Sequence, residues 1–174
     1  MLDERSLSRV QRALADASLD GWLIYDFRGL NPVAKTMLGI EGMATRRIFG
    51  FIPVTGVPTA ITHAIEPGPW RQWPAAWGKE VYSSWRSLES YLAALVRGKR
   101  VAMEYSPGCA IPYIARVDAG TVELIRQLGA EVVSSADLVQ RFLGVWNAAQ
   151  IASHRSASEK LYRIKDRTFE AVGQ

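Results

Sequence analysis

Arg100-Val-Ala-Met-Glu104, followed through to Leu143-Gly144, decides the fold, because this stretch reads as one continuous strand–loop–helix–strand–helix unit. Arg100 to Glu104 is a short apolar strand. Tyr105 to Pro112 is a loop, punctuated by Pro107, Gly108 and Pro112. Asp118 suits a helix N-cap ahead of Val122, Leu124, Ile125 and Leu128, and Gly129 stands where such a helix stops. Glu131-Val-Val133 gives a second strand. Ser134 or Ser135 then caps a helix carrying Leu138, Val139, Phe142 and Leu143, and Ser134-x-x-Asp137 resembles a capping box with Asp in place of Glu. Strand, crossover helix and strand make a βαβ unit, normally parallel and right-handed.

Upstream, Leu7, Val10, Leu14 and Ala17 share one face of an opening amphipathic helix, with Arg5, Arg9, Arg12 and Asp16 elsewhere. Asp20-Gly21 turns into the strand Trp22-Leu-Ile-Tyr25, whose lack of alternation implies burial on both faces. A loop from Asp26 to Pro32 leads to a short helical turn, Val33 to Leu38, ended by Gly39. Arg47 to Val54 and Pro58 to Thr62 are two strands joined at Thr55-Gly56 as a hairpin. Residues 64–79 interleave Pro67, Pro69 and Pro74 with Trp70, Trp73 and Trp77. Those indoles either stack ligands or cover apolar surface beneath a long loop, and the second reading is favoured. Val81-Tyr82-Ser83 is an edge strand, and Leu88, Leu92, Leu95 and Val96 mark a helix closed by Gly98. The expected fold is therefore α/β: one domain with a mixed sheet of about six strands, flanked by helices.

The 174 residues suit one domain, and 48% hydrophobic residues suffice for a core. The single cysteine, Cys109, excludes an internal disulfide and suits a reducing compartment. A charged start, Met1-Leu-Asp-Glu-Arg-Ser, argues against a signal peptide, and no window nears the ~20 apolar residues of a membrane helix. A cytoplasmic protein is expected, with no membrane partner. A net charge of +4 permits nucleic acid as a partner without indicating it, since no basic run exceeds two residues.

Asn147-x-x-Gln150 resembles a cap for a final helix running to about Val172. Leu161, Ile164, Thr168, Phe169 and Val172 form an apolar stripe on it, among Arg155, Lys160, Arg163, Lys165 and Arg167. Its length and unmatched stripe lead to the expectation that the chain stops at, or just inside, the start of another domain.

In order along the chain, several features resemble the N-terminal domain of the Xaa-Pro peptidase family, the pita-bread metallopeptidases that include aminopeptidase P, prolidase and creatinase. They are the opening helix, Asp20-Gly-Trp-Leu-Ile-Tyr25, the loop with Asn31 followed by Leu38-Gly39, the hairpin, Ala102-Met-Glu-Tyr105, Val117-Asp118 and Gly129 to Leu138. The helix from Ala149 resembles the linker into the catalytic domain. One departure is visible: the family's Asn-x-x-Tyr-Leu-Thr-Gly is here the longer Asn31 to Gly39, without the Tyr.

The resemblance implies a creatinase N-terminal domain of ribonuclease H-like topology over residues 1–145. Residues 146–174 would be a linker helix leading toward a C-terminal catalytic domain absent from this chain. It implies a non-catalytic role: dimerising the parent peptidase and capping the partner's active site over short Xaa-Pro peptides. Catalysis would rest on two divalent metals (Mn, Co or Zn), held by two Asp, one His and two Glu of the catalytic domain, with no cofactor in this chain. The segment that faces substrate in relatives is here Gly42-Met-Ala-Thr-Arg-Arg47. Arg46 or Arg47 would clamp a substrate carboxylate bidentately, with Asn31 and Trp70 on the same rim.

Two other classes merit comparison. Asp26, Glu104 and Asp118 lie at strand ends or a helix start, and a magnesium-dependent nuclease would need them convergent. Glu104 reads better as an ordinary strand-end residue and Asp118 as a cap. A free-standing protein- or nucleic-acid-binding module, using the Trp-rich loop or the basic surface, is the alternative. The chain's two histidines, His63 and His154, lack carboxylates at metal-ligand spacing.

Overall fold

The computed structural model describes residues 2–42 and 44–173. They form two compact units, divided between Val139 and Gln140. The first contains the whole sheet, in the order β4-β3-β2-β1-β5-β6. Its strands are β1 (Gly21–Asp26), β2 (Ile48–Pro53), β3 (Thr59–His63), β4 (Gly78–Tyr82), β5 (Arg100–Met103) and β6 (Glu131–Ser134). β2 runs against β1 and β3, whereas β1–β5, β5–β6 and β3–β4 pair in parallel. The sheet is thus mixed and α/β, as the hairpin and the βαβ unit predict. The parallel pairing of β4 carries no signal in its short, alternating sequence.

Helix α1 (Glu4–Asp16) begins at a capping box between Asp3 and Ser6 and buries Leu7, Val10, Ala13 and Leu14. Ala17, expected on the same face, is instead the exposed C-cap. Helix α2 (Pro32–Leu38) is capped by Asn31 and stopped by Gly39 in the left-handed region at φ 65°. A Cβ on Gly50 would meet the Leu38 methyls at 2.5 Å, so glycine lets α2 lie directly on β2. Helices α3 (Trp85–Val96) and α4 (Ala119–Gln127) cover the opposite face. There Leu88, Leu92, Val122 and Ile125 pack with Leu23, Tyr25, Phe49 and Phe51. β1 is buried at every position, as its unbroken apolar run requires.

Helix α5 (Ala136–Leu143) starts in the first unit. Ser134 Oγ accepts from the Ala136 N–H at 3.3 Å, while the Ser135 hydroxyl, a candidate cap, turns inward to Glu104. The second unit, from Gln140, contains α6 (Ala148–Val172), opened by the Asn147–Gln150 capping box that the sequence predicts. Leu161, Tyr162, Ile164, Phe169 and Val172 on it are all exposed. Residue 146, expected to begin the linker, lies within the second unit, which begins at Gln140.

Candidate functional site

Five strands point the same way, so their carboxyl ends converge on one end of the sheet, where β2 begins. The loops there are bonded to one another. The Arg28 N–H donates to the Ala44 carbonyl at 3.0 Å. The Thr45 and Arg46 N–H groups each donate to Glu66 at 2.9 Å, and the Thr45 hydroxyl also donates to Glu66. The Tyr82 hydroxyl donates to the Arg47 carbonyl at 2.7 Å. These bonds fix residues 44–47, which carry the expected substrate clamp, in a preformed position. Met43, within that segment, lies outside the described residues, as do Met1 and Gln174.

Arg46 is exposed and folds one Nη1 back onto the Thr45 hydroxyl at 3.0 Å. Arg47 is half-buried. Burial pushes the Tyr25 hydroxyl up to about 12 and raises that of Tyr82 as well; the charge of Arg47 opposes both shifts. Asn31 and Trp70, expected on the same rim, both turn inward, at 2% and 4% exposure. Asn31 Oδ1 caps α2 through the Val33 N–H, and its amide donates to the Tyr25 carbonyl and to Glu104. Trp70, Trp73 and Trp77 stack edge-to-face at 4.9 and 5.0 Å, the arrangement of indoles covering apolar surface. Trp73 is tied down through Nε1 to the Gly78 carbonyl at 3.0 Å.

The three carboxylates weighed as a nuclease site have separate tasks. Asp118 caps α4, accepting from the N–H and hydroxyl of Thr121, both at 2.8 Å. Asp26 accepts from the Gly29 and Asn31 N–H groups at 2.9 and 2.7 Å. Glu104 is no ordinary strand-end residue. It is fully buried and accepts from Trp22 Nε1 at 2.7 Å, Asn31 Nδ2 at 2.8 Å and Ser135 Oγ at 3.0 Å. Burial pushes its carboxyl up to about 7 against these three donors. Strand pairing explains the position: β5 pairs Ala102 with Trp22, and alternation puts Glu104 on that same inward face.

No group of three or more His, Cys, Asp or Glu among the described residues could hold a metal ion. His63 accepts from the Ile65 N–H through Nδ1 and meets Tyr82 edge-on, and His154 packs on Trp146. The residues present do not fit a two-metal ligand set, and no chemical step is assigned to this chain. Cys109 is exposed in the loop after β5. No helix among the described residues is long and apolar enough to cross a membrane.

Sequence pattern alone did not reveal where the exposed apolar side chains collect. Among the described residues of the first unit, five of the seven large apolar side chains that are exposed lie on this rim: Leu30, Ile65, Trp85, Ile111 and Tyr113. The basic residues of the same loops, Arg28, Arg46, Arg47, Arg86 and Arg116, are all arginine. Apolar and aromatic residues with arginine rather than lysine make up the usual composition of a protein-facing surface.

The chain has the fold of the creatinase/prolidase N-terminal domain. The solved N-terminal domain of an X-Pro dipeptidase from Streptococcus pyogenes superposes with a TM-score of 0.62 at 15% identity, covering 80% of this chain and 100% of that one. Dipeptidase PepE from Mycobacterium ulcerans gives 0.68 at 18% identity, over 94% of this chain and 42% of its own. A prolidase from Thermococcus sibiricus gives 0.69 at 12% identity, over 98% and 44%. The chain thus spans less than half the length of these last two proteins. No family model and no curated protein matches it by sequence.

Proposed function

We propose that this chain is the non-catalytic N-terminal domain of an Xaa-Pro metallopeptidase, working in the cytoplasm. In this reading it dimerises the parent enzyme and closes the partner's active site over short Xaa-Pro peptides. The chemistry belongs to a catalytic domain carrying two divalent metals, Mn, Co or Zn. The observation that carries the proposal is the rim. Its loops are bonded into one preformed surface, apolar and arginine-lined, and Arg46 and Arg47 stand on it beside each other. A preformed surface loses little conformational freedom on docking. The fold shared with dipeptidases and prolidases supports the same reading.

Arg46 and Arg47 are the clamp residues. Asn31 and Trp70 act on the rim from beneath, by holding the loops that present it. The test uses the full-length protein supplied with Mn²⁺ or Co²⁺ and short Xaa-Pro peptides. Hydrolysis by that protein, and none by residues 1–174 alone, is expected. Arg46→Ala and Arg47→Ala should raise KM with metal content unchanged, the signature of lost uniform binding. Unaltered kinetics in both variants would remove the clamp and leave a dimerisation scaffold.

A further inference from the structure

Glu104 is the one fully buried acid that the proposed function leaves unused. Its side chain joins three parts of the fold: Trp22 in β1, Asn31 at the start of α2, and Ser135 at the entry to α5. Its own carbonyl accepts from the N–H groups of Arg116 and Val117, at 2.9 and 3.2 Å, and so ties down the end of the long loop after β5. Asn31 in turn donates its N–H to Asp26, which holds Gly29, and Arg28 bonds the Ala44 carbonyl next to the clamp. We propose that Glu104 is a proton-binding pin: the joint between β1, α2 and α5 is tight when its carboxyl is neutral and loosens when the proton leaves.

The three partners fix where that proton sits. An indole N–H and a primary amide nitrogen can only donate, whereas a serine hydroxyl can also accept. The bound proton, taken up from solvent, therefore lies on Oε1, aimed at Ser135 Oγ. The oxygen that carries it still accepts from Trp22, and Oε2 still accepts from Asn31. When the proton leaves, Ser135 turns its hydroxyl to donate, and the joint must hold a bare negative charge away from water.

Among the described residues, no cation is paired with Glu104. Among the described side chains, the charged groups on these helices and the loop are Arg5, Arg9, Arg12 and Asp16 on α1, Lys35 on α2, Asp137 and Arg141 on α5 and Arg116 in the loop, and all are exposed. Asp26, the other buried acid here, meets the backbone of Asn31 and Gly29. Burial of an uncompensated charge favours its neutral form.

Glu104 titrates higher in the folded chain than in the unfolded one. Its contribution is therefore complete below the ordinary value near 4.5 and is lost as pH rises through about 7. Across that window each pH unit raises the unfolding equilibrium constant by up to about tenfold through this group.

The test is a proton NMR titration of the 174-residue chain from pH 5 to 9. The Trp22 indole N–H and both Asn31 amide protons should move together with one midpoint near neutrality. Glu104→Gln should abolish the titration. Gln cannot accept from both Trp22 and Asn31, so this variant is also less stable, and the wild-type curve stands as the primary reading. Trp22→Phe removes a donor to the ionised form and should raise the midpoint read at Asn31. Resonances that stay flat in the wild type, or the same curve persisting in Glu104→Gln, would overturn the pin.

Discussion

Two glutamates on the same rim hold loops in place with three donors each, yet they behave oppositely. Glu66 accepts from the N–H and hydroxyl of Thr45 and from the Arg46 N–H, and its carboxyl is held below the ordinary range. Glu104 accepts from Trp22, Asn31 and Ser135, and its carboxyl is pushed up to about 7. Both lose hydration, but Glu66 keeps most of its contact with water and has Arg46 beside it. For Glu104 the loss is complete, and no cation among the described residues acts on it. The number of hydrogen bonds therefore does not set the charge state of a loop-holding carboxylate; access to water does.

The comparison is broken most severely by Glu104→Ala. That change leaves the Trp22 and Asn31 donors without an acceptor, and the Ser135 hydroxyl without its partner, in a dry site, at about 3 kcal/mol or more. Urea unfolding near pH 6 should show that loss, and a change under about 1 kcal/mol would mean that water or relaxation replaces the glutamate. Asp118 is the intermediate case. It is exposed, caps α4 through Thr121 and is likewise held low by those bonds, with burial opposing. Asp118→Ala should cost about 1 kcal/mol, the ordinary worth of an N-cap, with little change in slope between pH 6 and 9.

These three acids also mark how far the sequence could be read. Asp118 was legible because a cap is local: an acid, a helical spacing and a terminating glycine lie within a dozen residues. β1, α2 and the β2–β3 hairpin were legible for the same reason, through an unbroken apolar run, a Gly39 stop and a Thr55-Gly56 turn. The role of Glu104 was not legible, because its donors lie 82, 73 and 31 residues away and only tertiary pairing gathers them. Asn31 shows the same limit from the other side. It marks a helix start, which is local, but its amide is also committed to a strand end far along the chain. The parallel partner of β4 and the apolar rim likewise follow from strand order, which no single window of sequence contains.

The smallest effect is expected at Glu66, and it sharpens the contrast most. Glu66→Ala removes three bonds from residues 45 and 46, but water can take over each donor at this exposed site. The global cost should be about 0.5 kcal/mol. The local cost should be larger, because the Thr45 and Arg46 amides both donate to Glu66. Hydrogen exchange at those two amides should quicken well beyond the global change, while amides of β1 keep their wild-type rates. The pH dependence has the opposite sign to that of Glu104. Glu66 titrates lower when folded, so its contribution is present above the ordinary value near 4.5 and disappears as pH falls through the folded value. Lowering the pH of the wild type through the folded value should therefore mimic Glu66→Ala in the protection of Thr45 and Arg46. Raising it from 6 to 8 should leave the protection of those amides, corrected for the intrinsic pH dependence of exchange, unchanged while the Glu104 joint loosens. Exchange at residues 45 and 46 that follows the Glu104 titration instead would show the two clamps to be one coupled unit.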